Sequence, residues 1–185
     1  MSTQTTVERA KAAWNTPVAQ RVRRIGYWVI MAVMVFLLYR RIAPSVEFED
    51  YGPAPPIEMT TLEGGHFSLD DLRDQVVVVN IWATWCPPCR FEMPGFVKLQ
   101  DEFEGDVVFV GLSTDDTVEP VREFAENMGI NFPILVGRNQ AGTAYHVPTL
   151  PTTFLIDRQG HIRFVHEGLF LAHALRPALR ALVRE

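Results

Sequence analysis

Cys86 and Cys89 are the only two cysteines in 185 residues, and two prolines separate them. Thiols that close can bridge, exchange a disulfide with another molecule, or bind a soft metal. Their surroundings narrow the choice. Val76–Ile81 (VVVVNI) reads as a strand buried on both faces, and helical spacing runs from about Pro87 to Phe103. The cysteines therefore fall just after a strand, at a helix N-terminus. That position carries roughly half a positive charge and several unpaired N–H groups. Both stabilise a thiolate, and a cysteine there can have its pKa lowered to ~3.5–7.5. Proline fits the first helical turn, where its missing N–H would have no partner. Pro87 and Pro88 thus stiffen the loop that sets the sulfur geometry. Cys86, at the tip, is the expected attacking thiol, and Cys89, one turn in, the resolving thiol. A bridge across so short a loop removes little chain entropy, so a purely structural role is not expected.

Metal binding is the competing chemistry, since a C-x-x-C pair is half of many metal sites. Two cysteines exclude a four-thiolate zinc site. His66, His146, His161, His166 and His173 show no paired ligand spacing near the cysteines. No resident metal or other cofactor is expected beside the redox-active disulfide. A copper metallochaperone using the same cysteines is kept as an alternative.

Charge is unevenly placed. The formal net charge is -5, but residues 1–41 carry seven basic residues and one acid, a balance of +6, which leaves -11 on the rest. So acidic a body repels phosphates, which excludes a nucleic-acid partner. Ile25 to Tyr39 is an uncharged run flanked by arginines, and counting on to Ala43 gives nineteen positions, about 28 Å of helix. Tyr27, Trp28 and Tyr39 sit near its boundaries, as interfacial aromatics do. A cleaved signal peptide is the bland reading, but Tyr-Arg-Arg-Ile-Ala-Pro is a poor cleavage site. The expectation is a single transmembrane anchor over 25–43, with residues 1–24 in the cytoplasm. Five basic residues precede the run and two follow it, which favours the large domain outside, on the periplasmic or extracytoplasmic side. Residues 44–56, with four prolines and three acids, read as a semi-stiff linker. The globular domain is expected over 57–185, long enough for one sizeable core.

Within it strands and helices alternate. Ile57–Leu62 and His66–Phe67 flank Gly64-Gly65 as a hairpin. Ser68, with Asp71 three residues on, reads as an N-cap. Asp106–Leu112 is a second buried strand, Val118–Met128 a helix ending at Gly129, and Pro133–Val136 a short strand. A short helix is expected near Asn139–Tyr145. Thr152–Ile156 and His161–His166 are strands joined by a turn, and Leu171–Arg184 is a closing helix containing Pro177. The pattern predicts an α/β fold with a central mixed sheet and helices on both faces.

Trp82-Ala83-Thr84-Trp85-Cys86-Pro87-Pro88-Cys89-Arg90 closely resembles the active-site segment of thioredoxin-like proteins. With Glu92-Met93-Pro94 after it, the chain is similar to the membrane-anchored TlpA-like branch, which includes cytochrome c maturation thioredoxins. Leu150-Pro151-Thr152-Thr153-Phe154-Leu155-Ile156-Asp157 resembles that family's cis-proline segment, and Leu69–Leu72 also fits. The likeness covers residues 55–170. It implies a thioredoxin-like fold, a cis Pro151 facing the disulfide, and a Leu150 backbone exposed for strand-like pairing with a substrate chain. Asn80 departs from classical thioredoxins, which carry a buried aspartate there to take the resolving cysteine's proton. Glu92, three residues after Cys89 on the same helix face, is the expected substitute. Trp85, Pro87 and Pro88 border the expected substrate site. Trp82 reads as core, Pro94 as a kink, His146 and His166 as surface or hydrogen-bonded residues. Asp101, Glu102, Glu104 and Asp106 read as a solvated helix end.

The expected function is a membrane-tethered protein-disulfide reductase. It would act on client protein disulfides, such as those of apocytochrome c or the copper site of a respiratory oxidase, with electrons from an integral membrane donor. The alternative from the same residues is a disulfide-forming oxidase. Potentials on this fold span roughly 150 mV, about 7 kcal/mol, and sequence does not set the value. A peroxidase is disfavoured, since no separate peroxidatic cysteine is present.

Overall fold

A computed structural model describes residues 17–42, 48–137 and 144–185. The chain divides near residue 45 into two units. The first contains helix α1, Pro17–Ile42. Its apolar side chains, among them Trp28, Ile30 and Phe36, are exposed. Among the described residues no helix is long and apolar enough to cross a membrane. Arg21, Arg23 and Arg24 fall inside the described stretch, while the expected span ends at Ala43, outside it.

The second unit is built on a five-stranded sheet of order β5-β4-β3-β6-β7. Its strands are β3 (Val76–Trp82), β4 (Val107–Ser113), β5 (Ile134–Val136), β6 (Thr152–Ile156) and β7 (Ile162–Glu167). β3, β4 and β5 run parallel, and β6 and β7 are antiparallel to their neighbours. The sheet is mixed, as expected. All seven residues of β3 are buried, because this β-branched run lies at the centre with both faces covered. Its period of two sorts the core. Val76, Val78 and Trp82 face Met93, Phe96 and Leu99 of α2 (Pro87–Glu102), Phe124 of α3 (Val118–Met128), and Leu175 and Leu179 of α4 (Ala172–Leu182). Val77, Val79 and Ile81 face Ile57, Phe67, Leu69 and Tyr145. Ile57, Phe67 and Leu69 belong to the hairpin of β1 (Glu58–Thr60) and β2 (His66–Ser68) and to what adjoins it. The helix expected near Asn139–Tyr145 lies outside the described residues except for Ala144 and Tyr145.

Three local expectations change. Ser68 makes no side-chain cap, and Leu69–Leu72 winds into a single 3-10 turn. Glu102 is exposed, as expected of a helix end, but it is also paired: both its oxygens accept from Arg176 Nε, at 3.0 and 2.8 Å, and Arg180 adds a third bond at 3.0 Å. These contacts tie α2 to α4. Residues 49–54 lie along the free edge of β7. The N–H groups of Glu49, Tyr51 and Ala54 reach the carbonyls of Arg163, Ile162 and Gly160 at 2.9–3.1 Å, and Ile162 N–H returns to Gly52. This segment covers an edge whose groups would otherwise face solvent.

Candidate active site

The register of the sheet assembles the site at one end. β3 and β4 are parallel and in step, Trp82 beside Ser113, so their carboxyl ends open together. β6 begins there too, with Thr152 opposite Ile81. Carboxyl ends of parallel strands are where α/β sheets place their ligands. Cys86 follows four residues after Trp82 and caps α2.

Cys86 and Cys89 are disulfide-bonded, with S–S 2.02 Å. The Cys89 backbone N–H points at Cys86 Sγ at 3.3 Å. A thiolate at Cys86 would keep that bond and gain the first-turn dipole. Cys86 is 3 % exposed and Cys89 0 %, so both are buried and Cys86 alone of the pair keeps any accessible surface. Pro87 and Pro88 are exposed on the first turn, as are Trp85 (67 % exposed) before the pair and Phe91 after it. The Leu150–Pro151 bond is cis, and Pro151 sits immediately before β6 at this same end. Leu150 is half-buried and packs against both core faces. The Pro151 carbonyl accepts from Gly168 N–H at 2.7 Å.

Glu92 lies one turn past Cys89 and is 1 % exposed. Its Oε1 accepts from Asn80 Nδ2 at 2.8 Å and its Oε2 from the Phe170 N–H at 3.0 Å. Burial pushes its pKa up to about 7, against the opposing pull of those two N–H bonds. A carboxyl poised there can accept and return a proton near neutral pH. Asn80 sits in β3, facing the same cluster, and its Nδ2 also reaches Thr153 Oγ1 at 3.1 Å.

Some of the machinery was not visible in sequence. Asp115, just past β4, accepts the Thr84 N–H and hydroxyl and the Ser113 hydroxyl. Thr153 and the Phe170 backbone belong to the Glu92 site. The one available signal for Asp115 was its place directly after a buried strand at the carboxyl end. Trp82 is fully buried against Phe124, as expected for core. His166 stacks on Phe170, with Nε2 3.2 Å from the Leu169 carbonyl. Among the described residues no group of three or more His, Cys, Asp or Glu side chains is placed to hold a metal ion.

Comparison with known proteins gives a consistent result. The model of the AhpC/TSA family matches residues 52–165. The thioredoxin-like protein YneN of Bacillus subtilis is 38% identical over 127 residues, 67% of this chain and 75% of that protein. The thiol-disulfide oxidoreductase ResA of Geobacillus kaustophilus is 38% identical over 143 residues, 76% of this chain and 82% of the relative. Among solved structures, a putative thiol:disulfide interchange protein DsbE from Chlorobium tepidum superposes with a TM-score of 0.68 at 27% identity, covering 73% of this chain and 98% of that one.

Proposed function

This chain belongs to the AhpC/TSA family of thioredoxin-like proteins and is a thiol–disulfide oxidoreductase, and from that premise we propose that it reduces client protein disulfides outside the cytoplasm while tethered to the membrane. One observation carries the reading. A buried carboxyl, Glu92, stands one turn along the helix from a buried Cys89, while Cys86 caps the helix start. Reduced Cys86 attacks as the thiolate. It forms a mixed disulfide and expels one client sulfur, which takes a proton from solvent. Cys89 gives its proton to ionised Glu92 and attacks Cys86 Sγ. The Cys86–Cys89 disulfide closes and the second client thiolate leaves, reprotonated from Glu92. Two electrons and two protons pass to the client. Trp85, Pro87, Pro88, Leu150 and Pro151 form the rim on which the client chain lies.

The oxidised pair must then be reduced by a second dithiol. By resemblance to TlpA-like proteins, that donor is an integral membrane protein, and the clients are apocytochrome c or copper-site cysteines. Ile25–Ala43 forms the anchor, residues 1–24 stay in the cytoplasm, and residues 44–48 lead from it to the segment 49–54 that borders β7 in the catalytic domain. Tethering raises the local concentration of the dithiol near a membrane-bound assembly site. Retention in the membrane pellet after alkaline extraction, and loss of it on deleting 25–43, checks the anchor. The direction of transfer is tested by the reduction potential of the full chain in detergent, equilibrated in defined thiol buffers. A value near ~-270 mV makes it a reductant; one near ~-120 mV overturns this reading in favour of a disulfide donor.

A further inference from the structure

Asn80 is 1 % exposed, in the middle of the central strand. A buried amide has two N–H donors and a carbonyl acceptor to satisfy. Both donors are in use, one to Glu92 Oε1 and one to Thr153 Oγ1. The acceptor, Asn80 Oδ1, is buried with no partner among the described residues. Opposite it, Glu92 accepts at both oxygens. That arrangement suits an ionised carboxylate, which only accepts. It does not suit the neutral acid, whose O–H needs an acceptor. The orphan acceptor is the other arm of the amide that Glu92 already touches. A half-turn about the Asn80 Cβ–Cγ bond exchanges the two arms at almost constant shape.

We infer that Asn80 is the positioning residue for Glu92, and that its amide turns over each time Glu92 gains or loses a proton. With Glu92 ionised, Asn80 Nδ2 donates to Oε1. With Glu92 neutral, Asn80 Oδ1 takes that place and accepts the Oε1–H. Thr153 follows, because a hydroxyl both gives and takes. It accepts from Nδ2 in the first state and donates to Oδ1 in the second. One arm of the amide is unpaired in either state, the carbonyl when Glu92 is ionised and the two N–H donors when it is neutral. A group that takes and returns a proton in every turnover thus keeps a partner at Oε1 in both states. Aspartate at position 80 would set two carboxylates side by side. An apolar residue would leave Glu92 Oε1 bare in both states.

Other ionisable groups near Glu92 are few. Cys86 and Cys89, on its own helix, do not titrate while bridged. β7 contributes His166, stacked on Phe170 at 4.3 Å. β6 contributes only the Thr153 hydroxyl, and the buried face of α4 is apolar, with Leu175, Ala178 and Leu179. A His166→Asn variant therefore serves as the control for a neighbouring charge.

The inference rests on the reading of Glu92 as the proton partner of Cys89. Its test uses the oxidised full chain in detergent, labelled to report the Asn80 side-chain amide and the Glu92 carboxyl by NMR from pH 4 to 9. The two are expected to titrate together, with the amide-proton contacts to the Glu92 side chain present at high pH and lost on acidification. Titration of Glu92 with those contacts unchanged would overturn it and leave Asn80 a fixed donor. Asn80→Leu separates the same cases. Loss of partners in both states moves the Glu92 proton affinity less than threefold; loss of a fixed donor raises it tenfold or more. The pH profile of exchange with a small disulfide is read on the reduced protein. If Glu92→Gln leaves that profile unmoved, the proton-partner role fails, while the amide turn is still decided by the spectrum.

Discussion

Asp115 holds Thr84 at two points, accepting its backbone N–H at 2.9 Å and its hydroxyl at 2.6 Å. Ser113 donates to the same carboxylate at 2.7 Å, and Arg90 takes the Thr84 carbonyl at 3.1 Å. Every polar group of Thr84 is therefore tied down two residues before Cys86. The end of β4 fixes the loop that carries the reactive sulfur, across 31 residues of chain. A rigid approach to the helix start is what keeps the Cys89 N–H aimed at Cys86 Sγ.

Removing that carboxylate is expected to be costly. Asp115→Ala leaves the Thr84 N–H, the Thr84 hydroxyl and the Ser113 hydroxyl without their acceptor, though the hydroxyls can partly rotate to others. At ~1–3 kcal/mol for each stranded buried group, the expected loss is about 3 kcal/mol. Asp115→Asn keeps one acceptor and should lose about half as much. Urea unfolding of the oxidised variants measures both. A loss below ~0.5 kcal/mol for Asp115→Ala would show that the loop is held by its packing alone.

The cysteines should behave unequally. Cys86 keeps the little accessible surface the pair has, 3 % against 0 % for Cys89, and the helix start favours its thiolate. Cys89→Ser should therefore accumulate a stable mixed disulfide between Cys86 and oxidised glutathione. Cys86→Ser should react on the order of 100-fold more slowly, because Cys89 is buried and lacks the helix-tip position. Mass spectrometry of both variants under identical conditions reads this directly. Equal adduct formation would assign the attack wrongly.

Gly111 marks where the core has no room. A Cβ there would lie 2.5 Å from Ile134 Cδ1 and 3.0 Å from Trp82 Nε1. The isoleucine methyl can yield, but the fully buried indole is wedged against Phe124. Gly111→Ala should lose about 1–3 kcal/mol through overpacking. Exposure of the buried Trp82 should accompany the loss as a red shift in tryptophan emission. Unchanged stability would mean that β5 moves aside freely.

The residues that could be read in advance are those whose signal is local. Val76–Trp82 announces a doubly covered strand by composition alone, and the C-P-P-C run announces a helix start. What escaped depends on partners far along the chain. Asp115 meets Thr84 over 31 residues, and Phe170 meets Glu92 over 78. Glu102 is exposed as read, yet its pairing with Arg176, 74 residues away, had no local signal. Residues 49–54 looked like a spacer because proline and acid content reports stiffness and charge. It does not report that β7 offers an open edge with donors in register. Asn80 was legible as a departure from the thioredoxin pattern, yet its bond to Glu92 appears only once β3 and α2 are packed together.

Glu92 gives the protein a pH dependence whose sign is opposite to that of most carboxylates. Burial, the largest cause, raises its pKa from 4.5 to about 7 in the folded chain. The folded state thus holds a proton that the unfolded state releases. Its contribution to stability is fully present below pH 4.5 and is lost as pH rises through about 7. At 1.36 kcal/mol per unit the full swing is about 3 kcal/mol. The two N–H bonds to the carboxylate are already included in that balance, since they only partly offset the burial. Glu92→Gln keeps the volume and cannot ionise. It should flatten this part of the curve, so that the variant gains on the parent protein between pH 5 and pH 8. The measurement is the free energy of unfolding of the oxidised proteins at those two values, with the disulfide intact so that no thiol titrates. Parallel curves would mean that Glu92 stays ionised in the fold, and the proton exchange assigned to it with Cys89 would then have no physical basis.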